Sequence, residues 1–184
     1  MNVFWPAGMT VLTALGAILL AVAGVAHAAR PREHRAVLRV HRLLPPAWTA
    51  FAAPATAVTE VLVGVAVLAF LLADPAAAVL PAAAQAVLYC AFAVYAAVLR
   101  THRPGVPCGC FGAEKVSWVV VSRAVVLAAG SAGYAVVGAV VPDRWSCVTA
   151  GVVLAMANHW VSAWRETVDD SSTAIHDRRN PAGK

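Results

Sequence analysis

Two cysteines one residue apart are the side chains of this chain best suited to chemistry: Cys108 and Cys110, in the stretch Pro107-Cys108-Gly109-Cys110-Phe111-Gly112. Thiols at i and i+2 can bring their Cα atoms into the roughly 4.4 to 6.8 Å range of a disulfide, in a small and strained ring. Strained, exposed disulfides are readily reduced, so the pair is a candidate dithiol–disulfide couple. Gly109 takes a Cβ out of the bend and Gly112 adds a second permissive point after Phe111. Two other uses of the thiols stay open. They can be incidental or packing groups, or they can ligate a metal together with His102, although their spacing lacks the gap of about two to four residues usual in a zinc knuckle.

Two charged residues within apolar runs are the other candidates. Glu60 falls about midway along one run, where a carboxyl group costs several kcal/mol unless it is neutral, paired or beside water. Ala53, Thr56, Ala57 and Gly64 share its helical face and would let neighbouring helices approach closely. Glu60 therefore either handles a proton or hydrogen-bonds across the bundle for packing alone, with Gln85, Asn158 and His159 as partners at comparable depth. Arg123 lies about one and a half turns into a later run. Its head can snorkel to the surface, or turn inward and favour a thiolate at Cys108 or Cys110. His102 and His159 could do the same for the thiols. Cys90 and Cys147 read as packing residues, since an unpaired cysteine behaves as a small hydrophobe.

The elements that must position these groups are membrane helices. Of the 184 residues 61% are hydrophobic and 12% charged, and the mean hydropathy is +0.73. The charges sit in short gaps between apolar runs of twenty or more residues, each long enough to cross a bilayer. The net charge of +5 lies beside these runs, where membrane orientation explains it better than nucleic acid does. Five spans are expected, at about 4–29, 47–72, 76–99, 118–141 and 145–164, with a polar, disordered tail over 165–184. Ala26-His27-Ala28 resembles a signal-peptidase site, but no Lys or Arg precedes the first run, so it is read as an uncleaved helix. The connector from Arg30 to Pro46 alternates arginines with apolar residues, as suits a short helix on anionic headgroups. Asp74-Pro75 and Pro142-Asp143-Arg144 mark tight turns. All six tryptophans fall near span ends, where indoles sit at headgroup level.

Counting Lys and Arg sets the expected orientation. The first connector holds five, the cysteine loop and its flank hold Arg100, Arg103, Lys115 and Arg123, and the tail holds four, against Arg144 on the other side. That places the N-terminus outside and the cysteine loop at the cytoplasmic face. If the first run does not span, the loop faces outside, where stable disulfides are usual.

On these residues the chain resembles the MauE proteins of methylamine utilisation, grouped with DoxX-like redox-associated membrane proteins. The resemblance rests on a small helical membrane protein with Glu60 in the second span, the loop Cys108 to Gly112 after the third, and Trp118 and Arg123 opening the fourth. It covers about Arg30 to Val141. Ala124 stands where a polar residue is expected, and the connector before the second span is short. The resemblance implies a four-helix DoxX-like core and a thiol-disulfide role for Cys108 and Cys110. It also implies a client such as the disulfide-rich small subunit of methylamine dehydrogenase.

The expectation is an all-α, polytopic transmembrane helical bundle in the plasma membrane, a thiol-disulfide protein that assists the maturation of a partner. Cys108 and Cys110 cycle, Arg123 tunes the thiolate, and Glu60 stabilises the bundle or handles a proton. Its partners are the bilayer, a client protein undergoing disulfide maturation and a thioredoxin-like or quinone redox partner, with no nucleic acid and no bound cofactor or metal. The alternatives are a non-catalytic docking partner with structural cysteines, and a small transporter built around Glu60, although the inverted repeats typical of transporters are missing.

Overall fold

The computed structural model describes residues 4–106, 115–138 and 143–179, the side chains at 159, 162–163 and 165–179 excepted. Six helices follow one another: α1 (Phe4–Ala29), α2 (Pro31–His41), α3 (Pro46–Ala73), α4 (Val79–His102), α5 (Trp118–Val137) and α6 (Arg144–Arg179). Four of them, α1, α3, α4 and α5, are long and apolar enough to cross a bilayer. The fifth expected run, 145–164, occupies the first part of α6. The stretch after it was expected to be disordered, yet it continues the helix to Arg179. No Pro or Gly interrupts the chain between Arg165 and Arg179, so nothing in its backbone chemistry forces a stop.

Local chemistry accounts for the boundaries. Arg30 precedes Pro31, and a residue before proline is pushed out of the α region. Accordingly Arg30 takes φ −127° and ψ 59°, α1 ends, and Pro31 opens α2. Asp74 leaves the helical region at the end of α3, and its Oδ1 accepts from the N–H of Ala76. The hydroxyl of Tyr134 on α5 donates to the Pro75 carbonyl at 2.8 Å, which pins this turn to the bundle. Ser117 caps α5 by accepting from the Val120 N–H.

The helix at the centre is α1. It packs on α3, α5 and α6 and touches α2 and α4, while α4 lies along α5. Its contact with α3 depends on two glycines. A Cβ on Gly24 would meet the Ala57 carbonyl oxygen at 2.8 Å, and one on Gly64 would meet the Ala17 carbonyl oxygen at 2.6 Å. The two backbones thus approach to a distance that only glycine permits. The same pairings fix the register, with Gly24 against Ala57 and Val61, and Gly64 against Ala17 and Ala21. The first residues of α3, about two turns, therefore stand beyond the end of α1.

That protruding segment is covered by α2. Pro54 lies inside α3 and has no N–H, so the carbonyl of Ala50 one turn earlier loses its helical partner. The guanidinium of Arg35 on α2 donates to it at 3.3 Å. Leu38 and His41 on the same helix are buried, while Arg32, Arg39 and Val40 face outward. The expected amphipathic connector helix thus exists, and its inner face is committed to the bundle. All six tryptophans are exposed, with Trp5, Trp48, Trp118 and Trp145 at the starts of α1, α3, α5 and α6.

Candidate functional site

At the end of the bundle where α1 stops, three helices bring ionisable side chains together. Glu60 of α3 has only 3% of its side chain exposed, and its Oε2 accepts from Nδ1 of His27, in the last turn of α1, at 2.8 Å. A hydrogen bond of this length offsets the cost of burying a carboxyl group that would otherwise be expensive in the membrane. The His27 ring stacks on that of His34 of α2, with centroids 3.9 Å apart and planes inclined by 18°. Nε2 of His34 lies 3.0 Å from the hydroxyl oxygen of Thr56, one turn before Glu60.

The proton positions around His34 follow from Thr56. Its single hydroxyl hydrogen goes to the backbone, to the Ala52 carbonyl at 2.9 Å or that of Ala53 at 3.0 Å. Thr56 therefore accepts from Nε2–H of His34, and Nδ1 of that ring carries the lone pair. This Nδ1 is buried and has no hydrogen-bond partner among the described residues. Burial, and then the positive fields of His27 and His41, lower the His34 imidazole from its ordinary 6.5 to about 4. His34 is neutral near pH 7.

A second polar contact joins this end to the cysteine loop. His41, in the last turn of α2, is buried, and its Nδ1 lies 2.8 Å from the hydroxyl of Tyr95 on α4. Tyr95 packs with Leu43, Val106 and Val121 around buried Ala96, Leu99, Val116 and Val120. The N–H of Val116 donates to the carbonyl of Val106 at 3.0 Å. The two ends of the loop are thus tied together beside Tyr95. Cys108 and Cys110 lie between them, outside the described residues.

Among the described side chains Glu60 pairs with His27 and not with the expected Gln85 or Asn158. Gln85 instead donates from Nε2 to the Thr13 carbonyl at 3.0 Å and to the Ser131 hydroxyl at 2.8 Å, deeper in the bundle. Asn158 lines a cleft of about 240 Å³ between α1, α5 and α6, together with Leu12, Leu15, Leu19, Ser122 and Arg123. The side chain of His159 is outside the described set. The residues of α1 that line this cleft lie on the helix face opposite Ala17, Ala21 and Gly24, which meet α3. Arg123 and Glu60 consequently stand on opposite sides of α1 and do not share one site. Glu60 is midway along α3, as expected, but the offset between α1 and α3 puts it within about two turns of the end of α1 rather than at mid-bundle. His102 is exposed and bonded to Thr101 and the Val98 carbonyl. Cys147 is buried, whereas Cys90 faces outward from α4 instead of packing.

His27, His34, Thr56, His41 and Tyr95 were not recognised as site residues from the sequence. The signal that could have found them is the even spacing of His27, His34 and His41, seven residues apart. Pro31 hid it by breaking the helix between the first and second. Among the described residues no three His, Cys, Asp or Glu side chains converge as metal ligands. The stacked rings of His27 and His34 present faces, not lone pairs, to each other.

Residues 6–140 match the family model described as methylamine utilisation protein MauE. The chain belongs to the MauE family. The match takes in α1, which the resemblance drawn from Arg30 onward had left out, and it ends just after α5. No curated protein and no solved structure matches the chain. As a MauE protein with four candidate spanning helices, it is a multi-pass membrane protein.

Proposed function

We propose that this MauE protein is a membrane-embedded thiol-disulfide protein. In this reading Cys108 and Cys110 pass between dithiol and disulfide during the maturation of a disulfide-bearing partner, such as the small subunit of methylamine dehydrogenase. The observation that carries the reading is the closure of the cysteine loop. The Val116–Val106 bond, and the place of both residues in the cluster around Ala96, Leu99 and Val120, hold the two ends of the loop together at one end of the bundle. A closed base of this kind brings the two ends of the segment carrying both thiols to one end of the bundle. Exchange with a partner disulfide balances without other reagents: a loop thiolate attacks a partner sulfur, a mixed disulfide forms, and the second loop thiol releases the partner as a dithiol. The reverse sequence oxidises the partner. Arg123 is half-buried about one and a half turns from the start of α5. Its charge favours thiolate at this end of the bundle.

Alkylation of the two cysteines with a membrane-impermeant maleimide, before and after reduction, tests the proposal. Labelling that requires reduction in wild type, with loss of partner oxidation in the Cys108→Ser, Cys110→Ser double variant, is the expected result. Labelling independent of reduction together with full activity of the double variant would leave the cysteines without a redox role. Intact and opened cells, labelled in parallel, report which face carries the loop. The positive-inside count predicts labelling only after opening.

A further inference from the structure

We propose that the cleft between α1, α5 and α6 binds one acidic phospholipid of the surrounding bilayer, with its phosphate on Arg123 and one acyl chain along the leucines of α1. The inference stands apart from the thiol reading, because it is read by lipid binding and not by exchange at Cys108 or Cys110. Its first ground is shape. Among the described residues α5 and α6 each pack on α1 but make no extended contact with each other. Toward the Gly138 end of the bundle the three helices close up. There Gly130 and Gly133 of α5 and Gly151 of α6 lie so near Leu12, Met9 and Ala14 that a Cβ on any of them would meet those residues at 3.0 Å or less. The cleft of about 240 Å³ continues from that contact toward the cysteine-loop end, over Leu12, Leu15 and Leu19. These three share one face of α1 over about 10 Å and are only half-buried, and Val119 and Val126 on the α5 wall are exposed. The slot is therefore apolar, narrow and open sideways to the bilayer, which suits a single hydrocarbon chain.

The second ground is the chemistry at the upper end of the slot. Arg123 lines it, five residues into α5 from the exposed Trp118, hence about 7 Å below that indole. An indole at a span end marks the headgroup level, and an arginine at this depth reaches lipid phosphates with its long stem. Its guanidinium presents five N–H donors in a planar fork that fits phosphate oxygens in pairs, so it accommodates a phosphate beside its other neighbours. Ser122 gives its hydroxyl hydrogen to the Val119 carbonyl at 3.0 Å and offers only an acceptor, whereas the amide of Asn158 can donate. Both donors favour an anionic head over a neutral one.

The charges around the cleft point the same way. Arg100, Arg103 and Lys115 stand at the same end of the bundle. The acidic side chains described at that end are held elsewhere, Glu33 by Arg30 at 3.8 Å and Glu60 by His27 at 2.8 Å on the far side of α1. Asp74 and Asp143 lie at the opposite end. Basic pockets between membrane helices attract acidic lipid heads in this way. One wall of the slot, α6, begins at Arg144, beyond the residues 6–140 that match the family model, so family membership does not supply the site.

Phosphatidylglycerol carrying a photoactivatable diazirine in one acyl chain, placed with the full-length protein in phosphatidylcholine nanodiscs, tests the proposal by cross-linking and peptide mapping. In wild type the cross-links fall on residues 12–19 and 119–127 and are competed by unlabelled phosphatidylglycerol, but not by inorganic phosphate. In Arg123→Gln they fall about fivefold, as expected for one arginine facing an anionic lipid, and Arg123→Lys retains most of them. Leu15→Trp fills the slot and displaces them with the charge intact. Equal labelling by a phosphatidylcholine probe, labelling unchanged in Arg123→Gln, or competition by a neutral quinone at lower concentration than by phosphatidylglycerol overturns the proposal. Where a variant fails to fold, the competition in wild type decides.

Discussion

Thr56 is the residue that orders the imidazoles. Because its hydroxyl proton is taken by its own helix, His34 must donate through Nε2, and its lone pair is left buried at Nδ1. Thr56→Val keeps the shape of the side chain and removes the acceptor. That substitution should weaken the docking of α2 by about 1 kcal/mol, read as faster amide exchange over 31–41 with α3 unaffected. His34 also makes docking pH-dependent in a definite direction. Its imidazole is held below the ordinary 6.5, at about 4, so the docked state prefers the neutral ring. Undocked α2 binds more protons between those values. Docking is therefore complete above about pH 6.5 and is lost progressively as the pH falls through 4. A His34→Phe variant retains a stacking face without a titrating ring, and its α2 exchange should lose this component of the pH dependence.

At the scale of elements, the contact between α1 and α3 positions everything at the site. Small residues bring the two backbones together, and the resulting offset lets His27 reach Glu60 while the start of α3 remains for α2 to cover. Gly64→Val would drive a branched side chain into the backbone of Ala17 and Ala21. It should destabilise the protein by about 1 to 3 kcal/mol, and more if the helices cannot separate, which thermal unfolding in detergent will show. Because Glu60 lies one turn before Gly64, the same variant should also weaken the His27–Glu60 bond.

At the scale of the whole molecule, the first helix cannot be spared. Ala14 and Ala17 are completely buried, and the three helices around α1 depend on it for their inner surface. A chain that begins after Ala29 should fail to accumulate as a folded membrane protein, as judged by size-exclusion profile and protease resistance after extraction. A chain carrying Ala28→Leu, which removes the apparent peptidase site, should accumulate like wild type. The polar contacts of α2 and the closed base of the cysteine loop lie at one end of this bundle, while the turns at Pro75 and Gly138 lie at the other. The polar contacts of α2 and the base of the cysteine loop are thereby gathered at a single end of the bundle.

Much of this architecture was legible in the order of residues. Spans follow from the length of apolar runs, because a bilayer imposes one thickness on every helix. The end of α1 falls at the expected Ala29, just before Pro31, whereas α5 stops at Val137, short of the expected 141, where Gly138 takes a left-handed φ of 58°. Glu60 stood out because a carboxylate in an apolar helix demands a partner. The identity of that partner was not legible. Depth estimated along each helix singled out Gln85 and Asn158, besides His159 outside the described side chains, but depth along a helix equals depth in the bundle only when helix ends are level. The offset of α3 past α1, set by where two glycines meet two backbones, brought up His27 instead. The three-histidine spacing crosses a proline break, so only the folding back of α2 puts His34 on His27 and His41 against Tyr95. Sequence alone marked out the apolar segments, four of which form helices long and apolar enough to cross a membrane, and the residues that must be compensated there. Tertiary structure decided what compensates them, because packing distance between helices is a property of their facing surfaces and not of either one.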